Sequence, residues 1–234
     1  MNSNQQKYQK KTLYRLLYDS CIVGFIILIT LHHMEIKNYT FHRMTRFWTM
    51  WGCWITGIYF LLNSIKQVSK LISFQKKKSQ TFNTIIDYMQ QASIVLCISV
   101  SLLFWGLYLK EPSSVLRREA GFKQSFIEEM FVTHFEHSFP LLFLLIDCLL
   151  FKQGNKHIEQ NYSIAKHIPM IFYFSYGGIA LYDYFTKEIR PYPFMDKWTF
   201  IPIMRLLIII ALILFFIINP IAYYIRKSLR KILN

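Results

Sequence analysis

The sequence predicts an all-α, polytopic membrane protein, six transmembrane helices in one bundle. Three observations predict it. The 234 residues are 53% hydrophobic and only 17% charged, yet the formal net charge is +14. Six apolar stretches approach the roughly 20 residues that a helix needs to cross a hydrocarbon core. The basic residues lie mostly between these stretches and at the termini. A soluble domain has no need for such uncharged runs, and a disordered or nucleic-acid-binding tail would be poor in Phe and Ile.

The first span, about residues 14–33, contains YDSCIVGFIILITL after a Lys-rich start. No small-x-small cleavage site follows it, and His32-His33-Met34 comes next, so it reads as a retained helix and not a removed signal. The second, about 47–65, has no charged residue. Its Thr49, Gly52, Thr56, Tyr59 and Asn63 recur at spacings of three and four and so share a face. The third covers about 88–109 and ends in aromatic residues. The fourth, about 127–151, is the most polar, with Pro140 in its middle, where a missing N–H frees a carbonyl. The fifth covers about 168–186, and the sixth, about 199–222, holds LLIIIALILFFIIN. The connections are short, so residues 1–234 read as one six-span membrane domain, closed as a bundle because unpaired backbone cannot face lipid.

Lys and Arg divide as four, five, three and four on the side of the termini against three, four and three on the other, with Arg205 inside the sixth span. The asymmetry predicts that both termini face the cytosol, in an endomembrane or the plasma membrane. Trp and Tyr near span ends, including Trp48, Trp51, Trp54, Trp105, Trp198, Tyr223 and Tyr224, suit interface anchoring. Cys21, Cys53, Cys97 and Cys148 all fall in apolar runs without a CxxC pair, and are read as packing residues. Anionic lipid headgroups are a more natural partner for the split basic loops than nucleic acid.

Ionisable residues inside a bilayer are costly and therefore functional candidates. In the fourth span Glu129, Thr133, His134, His137 and Asp147 fall within an arc of roughly 140° at about 100° per residue. Thr49 and His137 both lie in the outer half of the expected membrane, so a contact between them is feasible. A hydroxyl beside an imidazole is the least equipment for covalent acyl transfer. Other readings of these residues stay open: a Thr bonded to its own helix, a metal or haem held by His134 and His137 with His32 and His33, and a buried Asp147–Arg205 ion pair.

Several ordered segments resemble the androgen-induced and androgen-dependent TFPI-regulating proteins, six-span membrane hydrolases of fatty acid esters of hydroxy fatty acids. Arg46-Phe47-Trp48-Thr49 resembles the family segment that carries its nucleophilic Thr. Phe104-Trp105 with Tyr108, Thr133-His134-Phe135-Glu136-His137-Ser138 and Tyr192-Pro193-Phe194 resemble three further family motifs, and the second His of the middle one is catalytic there. Asp147 falls where the family has a glutamate, and Arg205 where it has an arginine. Thr133 and Ser138 depart from the family's Asn and Thr, and the family's Gly-Gly-x-Trp stretch is absent. The resemblance implies Thr49 as nucleophile and His137 as base acting on a lipid ester drawn from the bilayer, with no metal or cofactor. His134, Thr133 and Ser138 are then candidates to orient His137 or to donate to the oxyanion, Arg46 to hold a substrate carboxylate, and Asp147 to support the site. A non-enzymatic subunit packed against other chains is the alternative; it expects Thr49 and His137 too far apart to bond and no cavity between them.

Overall fold

The computed structural model describes residues 3–35, 39–72, 80–111, 134–151 and 162–232. Within them all regular structure is helical. The main helices are α1 (Ser3–Glu35), the short α2 (Phe41–Met44), α3 (Trp48–Ile72), α4 (Gln80–Lys110), α5 (His134–Leu150), α6 (Ile168–Lys187), α7 (Phe200–Ile213) and α8 (Asn219–Ile232).

Among the described residues, three helical segments are long and apolar enough to cross a membrane: Gln5–Glu35, Gln80–Lys110 and the continuous Phe200–Leu229. This is the mark of a membrane protein. Of the remaining long helices, α5 covers only 17 described residues, and α3 carries more polar residues, which face inward. Its whole sequence-defined stripe (Thr49, Gly52, Thr56, Tyr59 and Asn63) is buried. By contrast Ile208, Ile209, Leu212, Phe216 and Ile217 point outward, as lipid-facing residues do.

The core forms where α3 packs on α1 and α4, and α4 packs on α5. Phe60, Ile94, Leu96, Leu144 and Leu214 are wholly enclosed there. Gly57 allows α1 to approach α3, because a Cβ at that position would lie 3.3 Å from Ile26 Cγ2.

Two prolines shape the helices that frame the core. Between α7 and α8, Leu214–Ile218 forms a π-helical turn immediately before Asn219 and Pro220. A proline clashes with the carbonyl four residues earlier, here Phe216, and the wider turn relieves that clash. Pro140 lies inside α5 and cannot donate to the Glu136 carbonyl. That carbonyl instead accepts the Cys53 thiol of α3 at 3.7 Å. The adjacent His137 carbonyl accepts the Ser101 hydroxyl of α4. The proline thus opens the α5 backbone to its neighbours where the sequence placed its candidate base.

One end of the bundle holds a buried polar cluster. Asp147, fully enclosed, is paired with Arg15 at 2.5 Å and accepts Tyr59 Oη at 2.5 Å and Gln90 Nε2 at 2.8 Å. Arg15 also donates to Asp19 at 3.0 Å. Arg226 donates to the Gln90 and Gln91 side-chain oxygens. This replaces the Asp147–Arg205 pair considered from the sequence: Arg205 is exposed, and the buried cation is Arg15 from α1.

Candidate active site

At the opposite end of the core, the start of α3 meets the start of α5. Thr49 is the second residue of α3, in the turn whose backbone N–H groups lack partners within the helix. The positive end of the helix dipole lies there, which favours developing negative charge. Thr49 is 6% exposed, and its Oγ1 is 2.9 Å from His137 Nε2.

The imidazole is fixed from several directions. Its ring stacks on Phe104 with centroids 3.7 Å apart and planes 20° from parallel. Its backbone carbonyl is tied to α4 through Ser101. The preceding residue, Glu136, is held to α1 by His33 at 2.6 Å. Trp48 positions the first turn of α3: its indole N–H donates to Ser99 Oγ at 2.9 Å, and its backbone N–H donates to Tyr192 Oη at 3.0 Å.

Thr49 and His137 open on one cavity of about 360 Å³, within the size range of small-molecule sites. Its wall is mainly aromatic and aliphatic, with Val100, Leu103, Phe104 and Leu107 of α4 and Leu206, Leu207 and Ile210 of α7. Tyr173, Tyr176 and Tyr192 bring phenols to it, and Lys110 and Glu111 supply its charged groups.

The remaining sequence candidates are placed differently. Arg46 is absent from the cavity wall, and its guanidinium pairs with Asp183 of α6 at 2.6 Å. His42 and Lys187 join the same carboxylate at 3.0 and 3.1 Å. Ser138 accepts the Trp105 indole N–H at 2.9 Å and is likewise outside the wall. Asp147 lies ten residues beyond His137, roughly 15 Å along the helix, in the polar cluster at the other end. Thr133 and the His134 side chain lie outside the described residues. Among the described residues, no three His, Cys, Asp or Glu side chains converge as metal ligands. The subunit alternative expected a long Thr49–His137 separation and no cavity, and the structure has a 2.9 Å contact and a cavity.

Tyr192 and the other phenols were not among the site candidates. The Tyr192-Pro193-Phe194 motif was visible, but nothing in its spacing points from a loop to the start of α3.

The chain matches the family model described as FAR-17a/AIG1-like protein over residues 11–226 and belongs to that family. It is the family that the ordered motifs resemble. Comparison with curated proteins and with solved structures gave no match.

Proposed function

We propose that this member of the FAR-17a/AIG1-like family is a membrane-embedded ester hydrolase acting on fatty acid esters of hydroxy fatty acids, with Thr49 as nucleophile and His137 as general base. The observation that carries this reading is the 2.9 Å Thr49 Oγ1–His137 Nε2 contact at the wall of an apolar cavity. The substrate class comes from the resemblance of the motifs around these two residues to the hydrolases of the family.

The chemistry follows from the geometry. His137 Nε2 takes the hydroxyl proton as Thr49 Oγ1 adds to the ester carbonyl carbon. The tetrahedral adduct collapses, the bond to the alcohol oxygen breaks, and His137 returns the proton to that oxygen, releasing the hydroxy fatty acid. A water then gives its proton to His137 and attacks the acyl-threonine. The fatty acid leaves and Thr49 recovers its proton. The greasy wall suits acyl chains, while Lys110 is the cavity's cation and the natural partner for a free carboxylate.

In the membrane the reading is of six spans in one domain, with both termini cytosolic and the cavity in the outer half. α3, α5 and α6 then complete the bundle with the three apolar segments. A lipid ester enters sideways from the bilayer.

The test uses the full-length protein purified in detergent and returned to vesicles. Thr49→Ala and His137→Ala are expected to abolish hydrolysis of a branched fatty acid ester while retaining the wild-type melting profile. Full activity in both variants overturns the reading.

A further inference from the structure

Acyl transfer through Thr49 places negative charge on the substrate carbonyl oxygen, and that charge needs a preorganised donor. Three phenols share the cavity with Thr49, and their bonding differs. Tyr173 gives its hydroxyl proton to the Leu207 carbonyl at 2.8 Å. Tyr176 sits deep in the wall. Tyr192 stands beside the nucleophile: its oxygen accepts the Trp48 backbone N–H at 3.0 Å, one residue before Thr49, and both residues line the same cavity. With the Trp48 N–H occupying a lone pair, the phenol keeps its own proton to give within the cavity that a carbonyl attacked by Thr49 must enter.

The chain also immobilises this phenol. Tyr192 stands between Pro191 and Pro193, so both its own conformation and that of its neighbours are restricted. Its carbonyl accepts the Met195 N–H at 3.0 Å, closing the short 3₁₀ turn Pro193–Met195. Arg190 staples the loop by donating to the Trp198 and Glu188 carbonyls at 3.3 and 3.2 Å. Phe47 meets the Tyr192 ring edge-on at 6.3 Å, and Phe194 stacks against it at 5.7 Å. A rigid donor aimed at the reacting atoms loses no free energy to reorganisation during the reaction.

We propose that Tyr192 is a catalytic residue, the donor that holds the carbonyl oxygen as it becomes an oxyanion. As Thr49 Oγ1 bonds to the carbonyl carbon, the C=O π electrons move onto oxygen. The Tyr192 O–H donates to that oxygen and keeps its own proton throughout. The inference rests on the Thr49–His137 reading.

The experiment measures steady-state hydrolysis of a branched fatty acid ester by full-length wild type, Tyr192→Phe and Thr49→Ala in vesicles. It is joined to mass-spectrometric mapping of a fluorophosphonate probe. Tyr192→Phe is expected to lose about 10²–10³-fold in kcat, the scale of a single oxyanion donor, with KM changed by less than about threefold. A role confined to capping α3 would lower the melting temperature and leave kcat per folded molecule unchanged. Wild-type kcat in Tyr192→Phe, with the probe on Thr49, overturns the Tyr192 assignment and leaves the dyad standing. Full activity in Thr49→Ala, with the probe elsewhere, overturns both. Should Tyr192→Phe fail to fold, 3-fluorotyrosine at position 192 keeps the ring and hydroxyl but acidifies the phenol. The alkaline loss of kcat is then expected at lower pH than in wild type, and an unmoved limb overturns the assignment.

Discussion

Thr49 Oγ1 and His137 Nε2 are 88 positions apart in sequence and 2.9 Å apart in space. Two helix ends create the contact: the first turn of α3 presents the hydroxyl, and α5, opened at Pro140, presents the imidazole. If the two act as one unit, their losses do not add. Thr49→Val, which keeps the shape and removes the hydroxyl, is expected to lower kcat by about 10⁴-fold or more, and His137→Gln by a comparable factor. The double variant should be no worse than the more damaging single one. Multiplying losses would show that the groups act in separate steps.

Phe104 tests how the imidazole is held. Its ring lies flat on His137 at 3.7 Å, and a leucine there removes the plane without removing the bulk. A base displaced by a fraction of an ångström costs turnover more than binding. Phe104→Leu is expected to lower kcat by about 10- to 100-fold with KM nearly constant. An equal rise in KM would assign Phe104 to substrate contact instead.

Arg46 and Lys110 separate packing from recognition. Arg46 joins the start of α3 to α6 through Asp183, whereas Lys110 belongs to the cavity wall. Arg46→Gln is expected to cost about 1.5–3 kcal/mol, as for hydrogen bonds to a charged group, read as a lower melting temperature. It should leave unchanged the KM ratio between a free-acid ester and its methyl-capped analogue. Lys110→Gln should shift that ratio toward the capped substrate without changing the melt.

These contrasts show what one dimension of sequence carries. Spacing on the second span marks Thr49, Gly52, Thr56, Tyr59 and Asn63 as one face, and every member is buried, because a helix face follows from a 3.6-residue period alone. Pro140 was equally legible, since its missing N–H acts on its own helix. What periodicity lacks is the identity of the neighbouring helix. Sequence alone offers Arg205 to Asp147 and a substrate to Arg46, whereas the packed chain supplies Arg15 and Asp183. Tyr192 was hidden for the same reason: a loop residue has no face, and only the packed chain brings it to Trp48.

The Tyr192 phenol has a defined pH signature. Burial raises its pKa above the ordinary value of 10.0. A raised pKa keeps the proton on the donor at every pH below the new value, so donation is complete at neutrality and lost only as pH climbs through it. The enzymatic rate, corrected for spontaneous hydrolysis, is expected to stay level from pH 8 to 10. A fall within that interval would contradict Tyr192 as the donor.

Asp147 shares a helix with His137 but belongs to other chemistry. Its carboxylate gathers Arg15 from α1, Tyr59 from α3 and Gln90 from α4, so its removal leaves the buried guanidinium with Asp19 as its remaining carboxylate and takes that acceptor from two buried donors. Breaking a buried pair from one side costs about 3–5 kcal/mol, far more than a surface pair. Asp147→Leu is therefore expected to lower stability on that scale, measured by thermal unfolding in detergent. Adding Arg15→Met should recover little of the loss, because the guanidinium still holds Asp19 and its removal strands that buried carboxylate. Hydrolysis per folded molecule should stay within about twofold of wild type, since roughly 15 Å of helix separates Asp147 from the base. A kcat that collapses while the melt is unchanged would instead tie this cluster to the reaction at Thr49.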